Sequence, residues 1–361
     1  MQGVIKGGQD LIAKDCAVLN PLDLQDLFPI FDMLIRGRSV LLCSGNNAWD
    51  EGRGPEGEGP FLGFFSSGST GKPKLTWRRW SDLLLETRRM DRVKSWLWAS
   101  PFLPWTFAGV QVALQAWRTG GGVISLANLT WEESWKAAEK VRWDAISATP
   151  TYLDLWIQQE PAGGNRVQIK QMTLGGEALR PECGSRLRAR FPEAQFTVIY
   201  ASAEWGVLLK THRVDGWYEQ DGLDRRKPGW MVDGGMLMLP TERGGWRVTG
   251  DFIECHEGLI RVVGRADRVA NVGGTKVNLD EVSRRAETEP NVLRAAAVVE
   301  SNSVTGEIVS LHFAVKPGVN VTETQIALEA ALRRQLPKAA WPRLWVLGEV
   351  APCINGKRRI C

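Results

Sequence analysis

A chain of 361 residues, 43% hydrophobic and 24% charged, has the make-up of a globular protein and exceeds what one core usually serves, so two domains are expected. The net charge of +4 is spread over interleaved basic and acidic residues, which argues against nucleic-acid binding. Six cysteines without CxxC spacing indicate neither a zinc site nor a disulfide framework, and no apolar run reaches the roughly 18 residues of a membrane span. The start, MQGVIKGGQD, lacks a signal-peptide pattern, so a cytoplasmic protein without membrane insertion is expected. The 17 tryptophans recur without a repeat and read as packing residues. His212, His256 and His312 have no metal-ligand spacing.

Residues 20–45 read as an apolar helix followed by the strand SVLLC, and a polar loop runs on through Gly59. The stretch FSSGSTGKPK, Phe65 to Lys74, follows. Gly68 and Gly71 free its backbone to approach an anion, Ser66, Ser67, Ser69 and Thr70 add hydroxyl donors, and Lys72 and Lys74 add charge. It reads either as a phosphate cradle or as a solvated Ser/Gly turn. The nucleoside-triphosphatase P-loop is excluded by the spacing from Gly68 to Gly71-Lys72 and by Pro73 where Ser or Thr is required. Ser81 is expected to cap a helix with Leu83, Met90, Val93 and Leu97 on one face, which places the loop in a strand–loop–helix setting.

Strands 122–126 and 145–147 alternate with helices 131–141 and 151–159, the pattern of a parallel sheet covered on both faces. Strand 171–174 ends in Gly175-Gly176-Glu177-Ala178 before a helix near Pro181, and strand 196–199 ends in Tyr200-Ala201-Ser202-Ala203-Glu204. Ligands in such sheets bind at the carboxyl ends of strands, where a tyrosine can stack on a purine and a glutamate can hold magnesium between phosphates. From Gly216 to Gly264 short segments broken by Gly and Pro suggest antiparallel strands. They contain Val248-Thr249-Gly250-Asp251 and lead to Gly264-Arg265-Ala266-Asp267-Arg268, where aspartate suits a ribose diol and arginine suits ribose or phosphate oxygens. The tail reads as a compact α+β unit: helix 280–288, strands 294–300 and 309–315, a helix 323–336 opened by the box Thr322-x-x-Gln325, and strand 344–347. Ile354-Asn355-Gly356-Lys357 sets a lysine on a glycine turn.

The ordered set SSGSTGKPK, GGEAL, YASAEWG, VTGD, GRADRVANVGGTKV and INGKRR resembles the adenylate-forming superfamily of acyl-CoA synthetases, luciferases and peptide-synthetase adenylation domains. The resemblance implies an α/β fold with a large domain (1–264) of mostly parallel, helix-covered sheets plus a distorted β region. A small mobile α+β domain (265–361) would be hinged near Asp267. It implies ATP, Mg2+ and coenzyme A as reactants and ligands, with a small carboxylic acid as substrate: a carboxylate attacks the α-phosphate to give acyl adenylate and pyrophosphate, then a thiol displaces AMP. By the same resemblance Ser66 to Lys74 would hold the β- and γ-phosphates, and Gly175, Gly176, Glu177, Ala178 and Tyr200 would line the adenine. Glu204 would ligate magnesium, Asp251 and Arg265 would bind the ribose, and Lys357 would bridge carboxylate and α-phosphate. Gly273 and Gly274 would approach the pantetheine channel.

Three departures stand out. Ala203 replaces a threonine of the family pattern, Pro104-Trp105-Thr106-Phe107 lacks its histidine, and the cradle falls at residue 65, as in short o-succinylbenzoyl-CoA ligases of menaquinone biosynthesis. The pair Ala108-Gly109 and the turn Pro150-Thr151 also resemble that ligase. An aromatic acid is favoured, in a slot between Trp105, Phe107 and Tyr152. The alternatives are a stand-alone adenylation enzyme that loads a carrier protein and a nucleotide-binding pseudoenzyme.

Overall fold

The computed structural model describes residues 16–43, 54–55, 57–66, 74–87, 93–161, 167–220, 229–241 and 244–348. They fall into two compact units, one within Met1–Lys227 and one within Pro228–Cys353. The fold is mixed α/β, with sheets both parallel and antiparallel.

In the first unit, β1 (Cys16–Leu19), β2 (Ser39–Leu42) and β3 (Phe61–Ser66) run parallel, and β4 (Lys74–Arg79) returns antiparallel to β3. The second sheet has the order β10-β9-β8-β7-β5-β6. Its strands are β5 (Leu97–Ser100), β6 (Gly122–Ser125), β7 (Ala145–Ala148), β8 (Gln171–Gly175), β9 (Gln195–Ser202) and β10 (Gly206–Thr211), all parallel except β10. A short strand β11 (Tyr218–Glu219) follows. Helices α1 (Leu27–Ile35), α2 (Trp80–Glu86) and α3 (Phe107–Arg118) share one core with these sheets, built on Leu27, Phe31, Leu62, Phe64, Trp80 and Val110. Helices α4 (Trp131–Val141), α5 (Pro150–Gln158) and α6 (Pro181–Arg190) complete the alternation. The tryptophans do pack: Trp135 and Trp156 are fully buried, their rings stacked at 4.0 Å and 7°.

Alternating short buried strands and amphipathic helices account for this layering. Where the connections deviate from expectation, polar contacts decide. The loop after β3 is the connection of a β3–β4 hairpin, Ser66 opposite Lys74, so its setting is strand–loop–strand and not strand–loop–helix. Ser81 lies inside α2 and Arg79 precedes that helix as its N-cap residue. The helix stops at Glu86 because the Arg118 guanidinium of α3 donates to the Leu84 and Thr87 carbonyls, and Leu97 belongs to β5.

In the second unit, β12 (Met231–Asp233), β13 (Met236–Pro240), β14 (Trp246–His256) and β15 (Leu259–Arg265) form antiparallel pairs in the order β15-β14-β13-β12. A 3-10 turn, Ala266–Arg268, leads into a different sheet of order β17-β16-β19-β18, with β20 beside β19. It contains β16 (Val269–Val272), β17 (Thr275–Asn278), β18 (Val292–Asn302), β19 (Gly306–Val315) and β20 (Leu344–Leu347). With α7 (Leu279–Glu287) and α8 (Val321–Gln335), it encloses a core of its own around Val277, Val282, Leu311, Phe313 and Leu328. The α8 cap is Asn320, whose side chain accepts from the Glu323 amide at 3.2 Å, and not Thr322.

Candidate active site

The carboxyl edge of the second sheet gathers the segments that sequence analysis singled out. The registers Trp98↔Ala145, Ala145↔Gln171 and Gln171↔Gln195 align β5, β7, β8 and β9 in parallel. Their ends therefore release Pro101–Thr106, Pro150-Thr151, Gly175–Ala178 and Tyr200–Glu204 side by side, the edge at which α/β sheets bind ligands.

Each segment is held by identifiable contacts. Thr106 caps α3, accepting from the Gly109 amide at 3.1 Å and donating to the Leu103 carbonyl at 2.7 Å. A Cβ at Gly109 would lie 2.1 Å from that carbonyl oxygen, so the glycine of Ala108-Gly109 is demanded by backbone packing. Thr149 caps α5 through the Tyr152 amide at 3.2 Å. The Thr151 hydroxyl donates to Glu177 at 2.5 Å, which ties the Gly175–Ala178 loop to the first turn of α5, where a carboxylate also meets the positive end of the helix dipole. Gly176 adopts φ +83 and faces Thr149 and Phe102.

Tyr200 is half-buried near the end of β9, beside an irregular register in β10. Glu204 is exposed in the β9–β10 turn, which the Trp205 amide closes on Ser202 Oγ at 3.1 Å. One exposed carboxylate suits magnesium, a hard cation that takes most of its oxygens from phosphates and water. Among the described residues no group of three or more His, Cys, Asp or Glu side chains could hold a metal.

Of the three aromatic residues expected to line an acyl slot, Phe107 and Trp105 are half-buried, and Phe107 lies 5.6 Å from the Phe64 ring with the Arg78 guanidinium 5.8 Å away. Tyr152 is 5% exposed and packs on Trp131, centroids 5.1 Å apart, which makes it a core residue. Burial pushes its phenol well above the usual range, so it stays neutral.

In the second unit, Asp251 on β14 lies opposite Arg265 on β15. Gly250, at φ +82, precedes it, and the Asp251 amide donates to Thr249 Oγ1 at 3.1 Å. Arg265 donates through Nη1 to Asp251 and through Nε to Asp267, both at 3.1 Å. Sequence reasoning names all three residues without anticipating this carboxylate–guanidinium–carboxylate chain, because the pairing depends on strand register. Gly273 and Gly274 form the β16–β17 turn at φ +56 and +85, a conformation that requires glycine whatever else they do.

Ser66 and Lys74 end β3 and begin β4. Ser67, Gly68, Ser69, Thr70, Gly71, Lys72 and Lys357 lie outside the described residues.

A family model described as "AMP-binding enzyme" matches residues 39–238, a span that includes the loop, Tyr200 and Glu204 but ends before Asp251. The chain is 27% identical over 310 residues to a 2-hydroxy-7-methoxy-5-methyl-1-naphthoate–CoA ligase of Streptomyces carzinostaticus, covering 74% of this chain and 55% of that one. It is 26% identical over 311 residues to a salicylyl-CoA synthase / salicylate adenylyltransferase of a Streptomyces species, covering 73% and 54%. The chain thus spans about half the length of the curated relatives it matches. Among solved structures, a variant of E. coli MenE with bound OSB-AMS is similar at a TM-score of 0.66 and 15% identity, over 94% of this chain and 84% of that one. At that identity the likeness concerns the fold.

Proposed function

Because the chain belongs to the AMP-binding enzyme family, whose model matches more than half of its length, we propose that it activates a carboxylic acid with ATP and passes the acyl group to coenzyme A. The observation that carries this reading is the meeting of the Pro101–Thr106, Pro150-Thr151, Gly175–Ala178 and Tyr200–Glu204 segments at one sheet edge.

The chemistry asks for position and charge more than for acid–base catalysis. A carboxylate oxygen attacks the α-phosphorus, the bond to the β-phosphate oxygen breaks, and pyrophosphate leaves. The thiol sulfur then bonds to the acyl carbon as the bond to the AMP oxygen breaks, and the thiol proton passes to water. Ser66 to Lys74 would hold the β- and γ-phosphates, Gly175–Ala178 and Tyr200 the adenine, and Lys357 the α-phosphate side of the carboxylate. Asp251 would accept from the ribose hydroxyls while Arg265 holds that carboxylate, and Glu204 would hold magnesium, which shares the phosphates' negative charge. The adenylation step needs no group that titrates near neutrality, since carboxylates are ionised and pyrophosphate leaves well once its charge is shared, whereas the second step must lose the thiol proton.

For the acid we propose an aromatic carboxylate entering past Phe107 and Trp105, with o-succinylbenzoate, and hence menaquinone biosynthesis in the cytoplasm, as the favoured case. The activities named for the two Streptomyces relatives, on a naphthoate and on salicylate, support the aromatic class. We further propose that residues 265–361 act as a small domain hinged at Asp267 and that Gly273-Gly274 borders the thiol channel. The change of sheet at Ala266–Arg268 and the separate core beyond it support that division.

The test is pyrophosphate release with ATP and a panel of o-succinylbenzoate, salicylate, hydroxynaphthoates and alkanoates, with and without coenzyme A. Release with an aryl acid and thioester formation are expected. Release without thioester would move the protein to carrier loading, and no release with any acid would make it a pseudoenzyme.

A further inference from the structure

We propose that Arg78, Glu86 and Gln111 form a buried positioning relay that sets the turn carrying Glu204. The functional consequence rests on the adenylation reading above, whereas the placement of the turn does not.

Arg78 sits on β4, the strand that leaves the Ser66–Lys74 loop, and its side chain is 8% exposed. Its Nη2 donates to Glu86 Oε1 at 2.6 Å at the last residue of α2, where the carboxylate is 4% exposed. Gln111 of α3 donates from Nε2 to the other carboxylate oxygen at 2.8 Å. Arg78 Nη1 then donates to the Ala203 carbonyl at 3.4 Å.

On the far side of Glu204, a Cβ at Gly206 would stand 1.8 Å from Glu86 Oε1 and 2.8 Å from Arg78 Nη1, and the residue adopts φ +71. The ion pair therefore occupies the space that a side chain at 206 would need. The turn is thus hydrogen-bonded at the Ala203 carbonyl and lies against the ion pair at Gly206, with the exposed Glu204 between them in the chain.

Stability alone does not call for such a pair. A buried ion pair is often no more stabilising than apolar residues of similar volume, whereas an apolar pair cannot donate to a carbonyl.

The decisive variant is the double substitution Arg78→Met with Glu86→Leu, which refills the volume without the charges or the donor. Hydrogen exchange of the free protein should show the amides of 203–206 opening roughly tenfold faster, while thermal unfolding shifts by no more than about 4 °C. Pyrophosphate release at saturating ATP and acid should fall roughly tenfold, the Michaelis constant for the acid staying within about twofold. Arg78→Lys, which keeps a donor and a charge, should recover most of the rate. Exchange and rate both at wild-type values in the double variant would overturn the proposal. If the double variant does not fold, Glu86→Gln is read by the same two measurements: faster exchange of 203–206 with a slower rate is expected, and wild-type values of both would overturn the proposal. If the wild-type protein releases no pyrophosphate with any acid, the adenylation reading fails and the exchange of 203–206 alone decides the relay.

Discussion

The pairing of Asp251 with Arg265 gives the ribose assignment a quantitative test. The Asp251 residue is 6% exposed and receives one N–H from Arg265, whose own side chain is 48% exposed and also bonded to Asp267. Two hydrogen bonds from ribose hydroxyls to an ionised acceptor contribute roughly 1.5 kcal/mol each, so Asp251→Ala should weaken ATP binding by about 3 kcal/mol, on the order of a hundredfold. Arg265 is too solvated for its charge to act strongly at a distance. Arg265→Gln should lose about 1 kcal/mol, roughly fivefold, by loosening the carboxylate. Since that loss passes through Asp251, the double variant should bind ATP no more weakly than Asp251→Ala alone. Calorimetric titration of ATP into the four proteins closes the cycle. Additive losses, or a larger loss from Arg265→Gln than from Asp251→Ala, would refute the reasoning and give Arg265 a nucleotide contact of its own.

Lys357→Ala should lower adenylation about a hundredfold to a thousandfold while sparing thioester formation from a supplied acyl adenylate, as single-turnover assays of each step would show; equal loss in both steps would remove its assignment. Phe107→Ala should raise the Michaelis constant for the aryl acid about tenfold and leave that for ATP within about twofold, a split that disappears if the ring only packs on Phe64. Asp154 is fully buried on α5 and gripped by the Arg186 fork at 2.8 Å through both oxygens, with Arg180 at 3.8 Å. Asp154→Ala should cost about 1.5 kcal/mol in urea unfolding, because water takes up the half-exposed Arg186 once the carboxylate is gone, and a loss above about 3 kcal/mol would show that the cations are not rehydrated.

The alternation of β7, α5, β8, α6 and β9 is legible because parallel strands buried on both faces read as short apolar runs and the helices between them show one apolar stripe. The same logic fails at β4. There the buried positions are Thr76 and Arg78, so the strand carries no hydrophobic alternation and the hairpin it forms with β3 reads as a loop leading to a helix. Leu83, Val93 and Leu97 do fall at helical spacing. What divides them is the guanidinium of Arg118, a residue distant in sequence, and a left-handed Ser95 at φ +60. The strands β16 and β17 leave little trace, because Gly273-Gly274 suggests ligand approach as readily as the φ > 0 pair of a hairpin. At the sheet edge, residue types announce Gly175, Tyr200 and Glu204. The contacts that hold them, from Thr151 to Glu177 and from Arg78 to Ala203, join segments far apart in the chain and leave no local signature.

If the acid enters past Phe107 and Trp105 as proposed, the clash that any Cβ at residue 109 would make with the Leu103 carbonyl limits where acid preference can drift during evolution or redesign. Enlarging residue 109 to shorten the acyl site would push on main chain and move the whole Pro101–Thr106 segment, so that position is closed to gradual change. Variation in acid size would then fall to the half-buried side chains of Trp105 and Phe107. A library aimed at new acids should therefore hold 109 constant and diversify 105 and 107 together, since neighbouring residues on one short stretch are expected to be epistatic.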